Sequence, residues 1–205
     1  MDSSKRSALD KALYEYLPLI SRIDALALKK KSITVAIDGN SAAGKSSLAA
    51  LLQSVYACNV FSTDDFFLQP FQRTRQRLGE AGGNVDYERF FKEVLEPLQH
   101  GAPFSYRVYD CQRQILSEEQ RSVMPNPLHV VEGVYSLHPY FHFTYDIKVF
   151  LRIDEEEQRR RLAERSMELY DRFLHEWIPM EKQYFDVFQI AEQCDFVFDT
   201  HLREG

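Results

Sequence analysis

The sequence predicts an α/β chain in three layers, with a mostly parallel central sheet flanked by helices. Three observations carry that expectation. Short runs rich in β-branched residues alternate with longer stretches of helical apolar spacing. The string Gly39-Asn40-Ser41-Ala42-Ala43-Gly44-Lys45-Ser46 lies between one such run and one such stretch. Acidic residues stand at the ends of two further runs, Asp64 after residues 59–62 and Glu132 after residues 128–131, on the edge where open α/β sheets bind ligands.

Taken in order, residues 7–28 carry Leu9, Leu13, Tyr16, Leu17, Ile20, Ile23 and Leu26 on one helical face, which Pro18 is expected to kink or split. Lys29, Lys30 and Lys31 suit a solvated helix end. Residues 32–38 read as a buried strand, 46–56 as a helix burying Leu48, Leu51, Leu52 and Val55, and 59–62 as a short second strand. Residues 69–86, with Pro70, Gly79, Gly82, Gly83 and several arginines, predict a long surface loop. A helix follows from Asp86 to about Gln99, then a hairpin from 104–109 and 114–116. Strands are expected at 128–133 and 147–153. Asp154 caps a charged helix predicted to continue past Arg165, a further helix covers about 179–191, and 196–198 is a last strand. No repeat or linker interrupts the chain, so one domain over 1–205 is expected, with 1–31 as an N-terminal helical extension and about 155–180 as a small helical lid.

Composition narrows the function classes. Hydrophobic residues are 44% and charged residues 27%, as in ordinary globular chains. A net charge of −6 argues against a nucleic-acid polymer as partner. Cys58, Cys111 and Cys194 are far apart, so neither a disulfide framework nor a zinc site is expected. There is no signal-peptide pattern and no apolar run of membrane-spanning length, which leads us to expect a cytoplasmic protein without a membrane partner. Self-association is left open.

Residues 39–46 match G-x-x-x-x-G-K-[ST]. In such a loop the glycines let the backbone wrap so that successive N–H groups face phosphate oxygens, and the next helix offers its positive end to the same anion. Gly39, Asn40, Ser41, Ala42, Ala43, Gly44, Lys45, Ser46 and Ser47 are therefore the candidate nucleotide-phosphate site, with Lys45 reaching the β- and γ-phosphates and Ser46 placed to ligate Mg²⁺. This is the P-loop NTPase pattern, with ATP the expected nucleotide. Arg159, Arg160 and Arg161 follow Asp154 and Glu155–Glu157 at spacing that solvent-exposed helix ion pairs also explain, and Arg73, Arg75 and Arg77 read as loop charges.

The order of the string 39–47, Ser-x-Asp-x-Phe-Phe at 62–67, Asn84-Val85-Asp86, Glu132-Gly133 and the arginine-rich helix after Asp154 resembles the uridine kinase and phosphoribulokinase family of P-loop kinases over residues 33 to about 200. The resemblance implies that Asp64 takes the acceptor's hydroxyl proton and lies near the metal. It implies that Asp86 binds sugar hydroxyls, that Phe67 and Tyr109 also contact the acceptor, and that Glu132 lies close to Mg²⁺. Arg161 and Arg165 would approach the transferred phosphate from the lid. Such carboxylates and arginines suit proton transfer and charge stabilisation. The acceptor implied is a small alcohol, with uridine or cytidine first and another sugar-like or vitamin-like alcohol as alternative. A nucleotide-binding switch without an acceptor is the reading from another class. Two departures stand out: Tyr109-Asp110 is followed by Cys111-Gln112-Arg113-Gln114 without the family's histidine, and 166–173 replaces an Arg-Gly-Arg lid.

Overall fold

The computed structural model describes residues 13–200, so the expected helical position Leu9 lies outside them. Pro18 does split the first helical stretch: residues 13–15 are helical, the chain turns at Tyr16, and α1 (Leu17–Ala27) starts with the proline in its first turn, where a missing N–H costs nothing.

A five-stranded, wholly parallel sheet follows, in the order β2 (Cys58–Ser62), β5 (Leu128–Glu132), β1 (Ile33–Gly39), β6 (Ile147–Arg152), β7 (Phe196–Asp199). Register is direct along the centre, with Ile37 opposite Glu132 on one side and Val149 on the other. The strands are short and apolar because helices bury both faces. On one face Val35, Ile37, Val130 and Val149 pack with Leu19 and Ile23 of α1 and with Leu48, Leu51 and Leu52 of α2 (Lys45–Val55). On the other, Ala36, Phe61, Val131 and Phe150 meet Phe66, Phe90, Val94, Tyr106, Phe141 and Tyr184. The alternation along β1 of Val35, Ala36 and Ile37 between the two clusters is the period of a strand.

Residues 69–86 are more ordered than the loop expected from their prolines and glycines. Pro70–Gln72 forms a 3-10 turn and α3 (Arg75–Gly79) is capped by the Thr74 hydroxyl, which accepts from the Arg77 N–H at 3.1 Å. Arg77 holds the segment down: its guanidinium reaches Glu88 at 2.6 Å, donates to the Val85 carbonyl at 3.0 Å and stacks on Tyr87 at 3.6 Å. So Arg77 is a structural anchor and not a loose loop charge. α4 runs from Tyr87–Phe90 through a π turn at Phe91–Leu95 to Glu96–His100, with Asp86 as its N-cap.

The hairpin is longer than expected, β3 (Phe104–Asp110) with β4 (Ile115–Val123), and forms a separate two-stranded sheet. α5 (Glu155–Arg165) does not continue past Arg165, because Ser166 turns extended at φ −164. After a 3-10 turn at Met167–Leu169, α6 runs from Tyr170–Arg172 through a second π turn at Phe173–Trp177 into Ile178–Phe188, so the helix expected from about residue 179 begins earlier and takes in residues 170–180 of the expected lid. Among the described residues no helix is long and apolar enough to cross a membrane.

Candidate active site

β1 leads directly into the candidate phosphate loop. Gly39 is needed there: its φ is +136, and a Cβ would stand 2.1 Å from the Leu151 carbonyl oxygen of β6. Gly44, in the left-handed region, then starts α2. The first N–H groups of an α-helix have no acceptor within the helix, so Lys45, Ser46 and Ser47 present donors at its positive end. The Lys45 ammonium lies within the loop and donates to the carbonyls of Gly39 at 2.9 Å and Asn40 at 2.8 Å.

Two acids reach the same place from neighbouring strand ends. Ser62 and Glu132 are register partners at the carboxyl ends of β2 and β5. Beyond them Gly133, at φ +131, lies so close to Thr63 that a Cβ would sit 2.0 Å from its hydroxyl oxygen, and that hydroxyl donates to the Val134 carbonyl at 2.8 Å. This join puts Asp64, exposed, and Glu132, buried, at one mouth. The Ser46 hydroxyl donates to Glu132 Oε2 at 3.2 Å. Burial pushes the Glu132 carboxyl above the usual range, and the neighbouring Asp64 adds to this, while Ser62, Lys45 and Ser46 oppose it.

These groups line one cavity of about 380 Å³, together with Ser41, Ala42, Gly44, Ser47, Arg161 and Arg165. The two arginines differ. The Arg161 guanidinium is engaged at each of its three nitrogens, with Glu157 at 2.7 Å, the Ala42 carbonyl at 3.2 Å and the Thr200 carbonyl at 2.8 Å. Arg165 has no hydrogen bond or ion pair among the described residues.

Six residues picked out from the sequence do not line that cavity: Gly39, Asn40 and Ala43 of the loop itself, and the expected acceptor contacts Phe67, Asp86 and Tyr109. Asp86 is buried as the α4 cap, accepting from the Arg89 N–H at 3.1 Å and from Gln72 Nε2 at 2.8 Å. Phe67 forms an isolated antiparallel bridge with Val85. Tyr109 is buried, and its hydroxyl accepts from Arg73 at 3.3 Å.

Behind the loop the structure reveals two buried acids that the sequence reading passed over. Asp38, fully buried at the end of β1, accepts from the Gly39 N–H at 2.7 Å, the Leu137 N–H at 3.0 Å and the Tyr184 hydroxyl at 2.8 Å. Burial raises its carboxyl pKa against the pull of those bonds and of Lys45. Glu181 of α6, 3% exposed, accepts from the Ser41 N–H at 3.0 Å and from the Ser41 hydroxyl. An acid within an otherwise apolar strand is a signal that could have found Asp38. Glu181 has no local signal, since its partner is 140 positions away.

No family model matches the sequence, and no curated protein matches it. Among solved structures, a protein from Bacillus stearothermophilus described as a possible uridine kinase superposes with TM-score 0.64 at 20% identity, over 89% of this chain and 100% of that one. A candidate fructose transport system kinase from Silicibacter sp. TM1040 gives 0.61 at 19%, over 86% and 98%. The D-glycerate 3-kinase of Cryptococcus neoformans gives 0.64 at 11%, over 94% and 96%. At these identities the likeness is one of fold: the chain has the α/β fold of the P-loop kinases, the fold the sequence led us to expect.

Proposed function

We propose that this chain is an ATP-dependent small-molecule kinase that transfers the γ-phosphoryl group to an alcohol, with uridine or cytidine as the first candidate acceptor. The observation that carries this reading is the single cavity in which the phosphate loop, Lys45, the Ser46–Glu132 pair, Asp64 and Arg165 converge. A loop with a lysine accounts for nucleotide binding alone. An exposed carboxylate lining the same cavity adds what an acceptor hydroxyl needs.

In this reading the N–H groups at the start of α2 and the Lys45 ammonium hold the β- and γ-phosphates. Asp64 orients the acceptor O–H and takes its proton as the oxygen attacks the γ-phosphorus. The bond from that phosphorus to the β–γ bridging oxygen breaks, and ADP leaves with the bridging oxygen. Arg165 balances the charge that spreads over the moving phosphoryl oxygens. The donors present fit Mg²⁺, since Ser46, Glu132 and Asp64 offer hard oxygen atoms at one mouth and such sites are completed by phosphate oxygens. The ion, held there, would neutralise phosphate charge.

The structural neighbours are described as kinases of different acceptors, a nucleoside, a sugar system and a hydroxy acid, so another sugar-like or vitamin-like alcohol is the alternative acceptor. The test is ADP formation from ATP and Mg²⁺ across a panel of nucleosides and other small alcohols. We expect at least one acceptor to raise ADP release well above the water-only rate. If none does, a nucleotide-binding switch without an acceptor replaces the kinase reading.

A further inference from the structure

The phosphate loop is gripped at Ser41 and Ala42 by two helices. Gln158 of α5 donates to the Ser41 carbonyl at 3.1 Å, and Arg161 of the same helix donates to the Ala42 carbonyl at 3.2 Å. From α6, Glu181 accepts both donors of Ser41, its N–H at 3.0 Å and its hydroxyl. One helical turn on, Tyr184 donates to Asp38 at 2.8 Å, just before the loop begins. α6 therefore holds the chain on both sides of Gly39. Glu181 lies outside the residues lining the cavity, whereas Ser41 is among them.

A buried carboxylate is costly unless every lone pair has work, and Glu181 spends its bonds on one serine. A phosphate loop does its job only when its later N–H groups converge on one anion. The Ala43 N–H is already turned back to the Asn40 carbonyl at 3.1 Å, which leaves Gly44 onward to face the cavity. With the Ser41 N–H held by Glu181 and its carbonyl held by Gln158, rotation of the peptides on either side of Ser41 would break both bonds, and the loop's opening is set before a nucleotide arrives.

We propose that Glu181 is a positioning residue for nucleotide binding: from α6 it locks Ser41 and thereby presets the phosphate loop for the triphosphate. This rests on the nucleotide-binding part of the reading above and not on the identity of the acceptor.

The test is equilibrium binding of MgATP by calorimetry, without acceptor, alongside melting temperature. It uses the wild type, Glu181→Ala, Glu181→Gln, Ser41→Ala and the double variant Ser41→Ala/Glu181→Ala. Loss of a buried charge-assisted acceptor predicts about tenfold weaker MgATP binding in Glu181→Ala. Glu181→Gln keeps an acceptor for the Ser41 N–H, and the serine hydroxyl can rotate to accept from the new amide, so affinity returns to within about threefold of wild type. The double variant binds no more weakly than Glu181→Ala, because both changes remove one interaction. A Glu181→Ala protein that melts lower yet binds MgATP like the wild type overturns the proposal, since a purely structural role would give that result. Should Glu181→Ala not fold, a Glu181→Gln protein with affinity tenfold or more below wild type overturns it equally. A wild type that fails to bind MgATP refutes the nucleotide reading itself, and one that binds MgATP but phosphorylates no acceptor refutes only the kinase step.

Discussion

Arg161 and Arg165 stand one turn apart on α5 and line the same cavity, but their surroundings divide the work between them. Arg161 already spends its guanidinium on Glu157, Ala42 and Thr200. Arg165 is the arginine with donors to give to a passing phosphoryl group. On the proposed function, Arg165→Ala lowers kcat on the order of a hundredfold with little change in melting temperature, as loss of a donor to developing charge does. Arg161→Ala instead lowers the melting temperature, because it releases the loop and the end of β7. Steady-state kinetics and thermal melts on both variants check this. If Arg161→Ala lost kcat and kept its stability while Arg165→Ala did neither, the roles would be exchanged. Asp64→Asn belongs to the same comparison: it should abolish transfer and leave MgATP affinity nearly unchanged, and an active Asp64→Asn protein removes the assignment of Asp64 as base. The family resemblance singled out both arginines, but the difference between them depends on carbonyls at Ala42 and Thr200 that no local pattern encodes.

At the scale of elements, the segments that were legible in the sequence are those whose signal is local. Strand, glycine loop and helix from residue 33 to 55 form as the alternation of β-branched residues, glycines and helical spacing dictates. Asp64 and Glu132 were readable because strand ends are readable. Residues 69–86 were not, since what orders them is Arg77 reaching forward to Glu88 and Tyr87, a tertiary contact. The helix past Arg165 failed for a smaller reason, that Ser166 leaves helical geometry although nothing before it breaks the charged pattern.

A test at this scale lies in the connection between β5 and β6, where His138 joins three elements. Its ring stacks on Tyr87 of α4 at 4.3 Å and lies parallel to Tyr184 of α6 at 6.1 Å. Nδ1 accepts from the Tyr140 N–H at 3.2 Å, which leaves Nε2 to donate to the Ala81 carbonyl at 3.3 Å, so the native ring is neutral. Burial pushes its pKa down to about 4, with the Ala81 bond opposing. The unfolded chain takes up a proton near pH 6.5 and the folded chain does not. The stability from neutral His138 is therefore full above about pH 6.5 and falls progressively as the pH drops toward about 4. Denaturant unfolding should show a loss from this residue of about 2 kcal/mol between roughly pH 7 and pH 5, absent in His138→Gln. Equal pH dependence in the two proteins would assign the loss to other groups.

The whole molecule gathers its site from distant stretches of chain. The loop follows β1 at the centre of the sheet, Asp64 and Glu132 come from β2 and β5 on one side, Arg165 from the helix after β6 on the other, and α6 closes the back through Glu181 and Tyr184. A ligand seated there touches groups that separate when the chain unfolds, so its binding energy is added to the stability of the folded state. At about a hundredfold excess over Kd this amounts to about 2.7 kcal/mol, or a rise in melting temperature of roughly 5–10 °C for a chain of this length. MgATP should produce such a rise in the wild type and a much smaller one in Lys45→Ala, because that variant loses the cation that meets the β- and γ-phosphates. Lys45→Ala also removes the cation beside the buried acids Asp38, Glu132 and Glu181, so each protein's rise is read against its own melting temperature without nucleotide. A thermal-shift titration with MgATP reads both proteins, and the comparison separates the loop from any other nucleotide-binding surface. If the Lys45→Ala protein were stabilised as strongly as the wild type, the nucleotide would be bound away from the end of the sheet where Asp64, Glu132 and Arg165 meet, and the proposed transfer would lose its donor.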